Sequence, residues 1–252
     1  MLKSVINSLR SGAVGDLLDF VSPSFFEVVP IFESAACLKK LAGGLITQAR
    51  PPAFDAVQAF LAASGLPITI LDGKVAISTA KNSNESVDQA TSGVGDDLLK
   101  IYFLQLFGCP EAVLDMRFAS FNFDQGKVAW NPMRVVHRWR DDFIVPIRLI
   151  YRGFYKNDAG AFKRGLKELG LQSAEELFIR HFGAGDQTAV TFSGQHFRKS
   201  FHDIFVHCKD NRIKLHVDFL PFGILLGTLY ENLSHGGGDH NVRKVFESVI
   251  TK

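Results

Sequence analysis

Only three cysteines occur in the 252 residues, Cys37, Cys109 and Cys208, and they lie far apart. That spacing excludes a disulfide framework and a zinc knuckle, and it points to a reducing compartment. No apolar run approaches the roughly 20 residues of a membrane-spanning helix. The first residues also lack the short apolar core and cleavage pattern of a secretory signal, so a cytoplasmic location is expected. The phosphate loop G-x-x-x-x-G-K-[ST], the G-x-S-x-G elbow and the kinase catalytic loop do not occur, and Gly93-Val94-Gly95 is only a fragment. No cofactor is expected. Neither charge sign is in excess: 28 basic against 26 acidic residues leave a net charge of +2, too small to argue for nucleic acid. Tyrosine is scarce at four copies, beside 23 phenylalanines.

What is present reads as a folded chain, with 46% hydrophobic and 21% charged residues. Phenylalanine has no polar handle, so its surplus belongs in cores or in an apolar pocket. The expected fold class is α+β, a mostly helical C-terminal half packed with two β-hairpins that make a small antiparallel sheet. Residues 1–80 read as helices plus a hairpin, 81–95 as a mobile loop or linker, and 96–252 as a hairpin plus a helical region that forms one compact unit with 1–80.

The periodicities carry this division. Leu2, Ile6 and Leu9 mark a first amphipathic helix, residues 31–48 a second and 54–63 a third. Ile-Thr-Ile-Leu and Val-Ala-Ile-Ser flank the turn signal Asp72-Gly73, so 68–79 reads as a hairpin. Residues 96–107 form a helix with Leu99, Phe103 and Leu106 on one side. Between Leu114 and Phe123 the apolar face switches near Ala119-Ser120, which implies a bulge or two shorter strands. A turn at Gly126 follows. Residues 133–139 read as a further extended run. Asp141-Asp142 opens a helix whose Phe143, Ile147, Ile150 and Phe154 share a face. Pro146 fits only a first turn, which argues for a start two or three residues later. Further on, Ser173 with Glu176 makes a capping box. Phe197, Phe201, Ile204, Phe205 and Cys208 form one core face; Phe222, Leu225, Leu226, Leu229 and Leu233 form the most apolar one. Phe201 and Leu226 are therefore expected to be buried. Gly223 and Gly227 are expected to let another helix approach closely. Val242, Val245, Phe246 and Val249 make a last amphipathic helix.

The densest basic region comprises Arg134, His137, Arg138, Arg140, Arg148, Arg152 and Lys156, interleaved with Trp130, Trp139, Tyr151 and Tyr155. Arginine pairs bidentately with carboxylate and phosphate. A ligand site of Arg134, His137, Arg138, Arg148, Arg152 and Tyr155 follows, with Arg148 and Arg152 stacked one helical turn apart. The leading expectation is a binding or accessory protein. It holds an amphiphilic anion, acyl or isoprenoid-like, or a protein partner, through a Phe-rich face rimmed by arginines. One alternative is a hydrolase or transferase with His137 as base and Arg134 and Arg138 as anion clamps. Another is a nucleic-acid binder, disfavoured because residues 54–63 hold no Lys or Arg for a recognition helix. Three groups could ligate a metal: His196, Asp203 and His207; His216 and Asp218; and His235, Asp239 and His240. Each reads more simply as a solvated face, a cap or a linker, so no metal site is expected. Oligomeric state has no signature in the sequence.

Overall fold

The computed structural model describes residues 25–46, 52–66, 68–71, 91–124, 127–183 and 190–250. The expected first helix, the second arm of the 68–79 hairpin and the Gly126 turn lie outside them, as do residues 81–90. The fold is α+β, mostly helical, with small sheets of two and three strands. Among the described residues, no helix is long and apolar enough to cross a membrane.

The helices are α1 (Phe25–Val28), α2 (Ile31–Ile46), α3 (Pro52–Ala63), α4 (Thr91–Gly108), α5 (Asp141–Tyr155), α6 (Ala159–Glu168), α7 (Glu175–Phe182), α8 (Gly194–Asp210), α9 (Phe219–Gly236) and α10 (Val242–Ile250). The strands are β1 (Ile68–Ile70), β2 (Glu111–Val113), β3 (Phe121–Asp124), β4 (Lys127–Trp130), β5 (Val136–Arg138), β6 (Val190–Thr191) and β7 (Asp239–His240).

Helix α9 is the centre of the molecule. It is buried from Phe219 to Tyr230 without interruption, and a helix apolar on every side belongs inside a core. Its few polar groups stitch it to the segment after β2. The Thr228 hydroxyl donates to the Leu114 carbonyl at 2.9 Å, and Asn232 donates to the Met116 carbonyl at 3.0 Å. The buried carboxylate of Asp115 accepts from Arg117 Nε (2.8 Å), Ser120 Oγ (2.7 Å) and the Met133 N–H (2.8 Å). These bonds satisfy a charge that would otherwise be costly to bury, so Asp115 holds the fold together.

The expected break near Ala119-Ser120 is a 3₁₀ turn, Phe118–Ser120, that leads into β3; residues 114–117 before it are not strand, since β2 has already ended at Val113. Strands β3 and β4 form the expected antiparallel hairpin, whereas β1 pairs parallel with β4, Ile68 opposite Val128 and Ile70 opposite Trp130. A parallel pair needs a long crossover, and α4 lies within it. Helix α4 begins at Thr91, so residues 91–95 of the expected linker are helical.

Two further expectations are corrected. Helix α5 starts at Asp141, which leaves Pro146 inside it and not in its first turn. Close helix approach does not occur at Gly223, where a methyl group would meet nothing within 4 Å. It occurs at Gly153 and Gly165 instead. A Cβ on Gly153 would lie 2.3 Å from the Phe162 backbone nitrogen, and one on Gly165 would lie 2.6 Å from the Pro146 carbonyl oxygen. Helices α5 and α6 therefore meet backbone to backbone.

Candidate functional site

The six residues expected to bind a ligand do not assemble in one place. Arg148 is half buried and spent on main chain. Its Nε donates to the Leu106 carbonyl at 2.7 Å and its Nη2 to the Cys109 carbonyl at 3.0 Å. These acceptors end α4, and a cation there satisfies carbonyls that the helix leaves unpaired. Burial, with Arg152 close by, lowers the Arg148 pKa. Arg152 lies over the Phe107 ring, 5.4 Å from its centroid. Arg138 is exposed and pairs with Glu111 at 3.2 Å, while Arg134 lies 5.9 Å from the Phe54 ring centroid.

His137 is buried, 6% exposed. Its Nε2 sits 3.4 Å from Asp218 Oδ1, and Asp218 Oδ2 accepts the Arg140 N–H at 2.9 Å. The Asp218 N–H donates to His216 Nδ1 at 3.1 Å, and His216 Nε2 lies 3.3 Å from Asp142. Burial raises the Asp218 pKa, but His137 and the Arg140 N–H outweigh it and hold the carboxyl below its usual range. This network joins the N-terminal ends of α5 and α9, running from buried His137 and Asp218 out to exposed Asp142.

Tyr155, of the six, lines a ligand-sized cavity. That cavity measures about 630 Å³ and is half open to solvent. All four tyrosines of the chain line it: Tyr102 from α4, Tyr151 and Tyr155 from α5, and Tyr230 from α9. Tyr151 and Tyr155 share a face because they are four residues apart on one helix. Phe103, Phe182 and Phe192 fill the wall between them, and Glu176, Arg180 and His196 stand at the mouth. The rings pack mainly edge to face, as between Phe103 and Tyr155 (6.0 Å between centroids) and between Phe192 and Tyr230 (4.8 Å).

The hydroxyl groups give the cavity its chemistry. Tyr102 and Tyr151 share one short hydrogen bond, 2.6 Å between oxygens. The Tyr155 and Tyr230 hydroxyls bond to no protein group among the described residues. Since the Tyr102–Tyr151 bond uses one proton, the other phenol protons meet no acceptor among the described residues. Burial raises the pKa of every one of the four, and Tyr102, Tyr151 and Tyr155 are also raised by neighbouring tyrosines. The phenols therefore stay neutral donors across the physiological range.

His181 supplies an acceptor. It is buried, and its Nδ1 lies 3.0 Å from Ser200 Oγ. Ser200 Oγ in turn lies 2.7 Å from the His196 carbonyl oxygen. Two oxygens that close require a proton between them, and only the serine has one, so Ser200 donates to the carbonyl. It must then accept from His181, whose Nδ1 carries the hydrogen. Burial, with His196 nearby, drives the His181 pKa down to about 3, so the ring is neutral and Nε2 is a bare lone pair. Nδ1 is committed to Ser200, which leaves Nε2 bonded to no described protein group on a ring that lines the cavity.

The suggested metal groups are dispersed. His207 Nε2 meets Ser173 Oγ at 2.9 Å, His235 bonds the Glu231 carbonyl at 2.8 Å, Asp239 accepts from Thr191, and His240 is buried against Phe192. Among the described residues, no three His, Cys, Asp or Glu side chains come together as a metal-binding group.

Sequence periodicity placed Tyr155 at a ligand site but not Tyr102, Tyr230 or His181. A signal for the tyrosines was available: each sits on an apolar helix face where phenylalanine, abundant elsewhere, would pack equally well. A hydroxyl retained at such a position implies something to bond. No family model matches the chain, and no curated protein is significantly similar to it in sequence.

Proposed function

We propose that this chain is a binding protein that takes a small amphiphilic molecule, acyl or isoprenoid-like in its body, into the tyrosine-lined cavity. The carrying observation is the convergence of all four tyrosines and a neutral histidine on one half-open space of about 630 Å³. Ligand pockets run to roughly 300–1,000 Å³, with apolar walls and a few placed polar groups. Aromatic walls would hold the body of the ligand, and the uncommitted phenol protons would bond its oxygen. The three free thiols, Cys37, Cys109 and Cys208, fit a reducing, cytoplasmic setting.

Melting followed by circular dichroism tests the reading, with 4-octylphenol as the probe. At a free concentration of 100 times Kd, binding adds about 2.7 kcal/mol of stability. For a chain of this length the expected rise in Tm is about 5–10 °C. A Leu229→Trp variant, which places an indole in the cavity, should lose most of that rise. An unchanged Tm in the parent over the accessible probe range would rule the function out.

A further inference from the structure

Resting on the cavity reading just given, we infer that the cavity selects a neutral hydroxyl head group, an alcohol or phenol, over a carboxylate or a phosphate. Three observations converge on this. First, the imidazole of His181 lines the cavity with Nδ1–H committed to Ser200, and its Nε2 bonds to no group among the described residues. A bare lone pair is satisfied only by a donor. A carboxylate or phosphate dianion brings only acceptors and would face that lone pair repulsively.

Second, the Tyr155 and Tyr230 hydroxyls are donors with no acceptor among the described residues. The Tyr230 ring lies beside His181, 6.0 Å between centroids and only 21° from parallel. One ligand hydroxyl matches this set, since it donates one proton and accepts through two lone pairs. Donating to His181 Nε2 and accepting from the phenols would pair groups that bond to no described protein residue.

Third, among the described residues of the inner wall none is a cation, and Arg243, close by, has its Nη1 donating to the Tyr155 carbonyl. Arg180 is exposed at the mouth, on the same helix as Glu176, and both line the opening. An anion carried past them would be buried against aromatic rings and a neutral imidazole, with the nearby cation, Arg243, already engaged by the Tyr155 carbonyl, which is unfavourable. A hydroxyl carries no such penalty. This replaces the anionic head group expected from the arginine-rich sequence with a neutral one.

Three probes of nearly equal size separate the alternatives: 4-octylphenol, 4-octylanisole, whose methyl ether cannot donate, and 4-octylbenzoate, an anion at neutral pH. Calorimetric titration of the full chain should rank the phenol at least about tenfold tighter than either of the others. In His181→Phe, which keeps an aromatic ring and removes the acceptor, the phenol should fall to the affinity of the anisole while the anisole changes less than about twofold. Equal binding of phenol and anisole by the parent would leave the cavity reading standing and overturn this one. So would benzoate binding as tightly as phenol, a comparison that needs only the parent should His181→Phe fail to fold. Failure of the parent to bind any of the three would overturn both readings together.

Discussion

His181 is neutral in the fold because its ring is buried against Ser200, His196 and Tyr230, and its pKa is about 3 against an ordinary 6.5. As pH falls below 6.5 the unfolded chain takes up a proton that the folded chain refuses. Stability present above that pH is therefore lost as pH falls toward 3, by on the order of 3–5 kcal/mol in full and roughly 2 kcal/mol by pH 5. Asp218 pulls in the same direction at lower pH, since its depressed carboxyl stabilises the fold until acid protonates it. Urea unfolding of parent and His181→Phe at pH 7.5 and 5.0 checks this. The parent should lose about 2 kcal/mol more than the variant across that interval, and equal losses would show that the imidazole is not held neutral. The same scale explains why the arginine-rich site was misread. Arg148 and Arg152 do stack one turn apart, as their spacing requires, but sequence spacing carries no information about what lies opposite. Opposite Arg148 lie the carbonyls of Leu106 and Cys109. Arg148→Gln should therefore cost about 1–3 kcal/mol in denaturant unfolding, whereas Arg152→Gln, over an aromatic face, should cost under about 1 kcal/mol.

Among the elements, the helix faces were the most legible part of the chain, since a stripe at spacings of three and four is written locally. Phe201 and Leu226, each at the middle of such a stripe, are 7% and 4% exposed. The face change at Ala119-Ser120 was equally legible, because a period-two pattern cannot change sides without a break. Pairing was not. Strand β1 reads as the first arm of a hairpin whose second arm lies outside the described residues; what its sequence does not announce is the parallel pairing with β4 across the crossover that holds α4. Contact between α5 and α6 also depends on tertiary approach. Gly153 and Gly165 look like ordinary weak helix formers until Phe162 and Pro146 are placed against them. The helix hairpin predicts an outcome opposite to helix propensity. Gly153→Ala would gain about 1 kcal/mol as an isolated helix, but here the new methyl meets backbone at 2.3 Å. It should destabilise by about 1–3 kcal/mol, read from the urea midpoint, and a stabilised variant would contradict the packing.

For the molecule as a whole, the cavity gathers residues from Leu99 to Val242, contributed by α4, α5, α7, α8, α9 and α10 with the β6 segment. No window of sequence contains it, which is why periodicity could find its walls one at a time and not the space between them. The account stands on one claim, that the four tyrosines surround a single ligand-sized space. Because the chain has only four tyrosines, uniform 3-fluorotyrosine labelling gives four fluorine resonances, one for each residue in the cavity wall. Fluorine NMR during titration with 4-octylphenol then reads the whole cavity at once. The account predicts that all four resonances shift and saturate together at one equivalent of probe. Four resonances unmoved at saturating probe, or a single one moving while the others stay fixed, would contradict it.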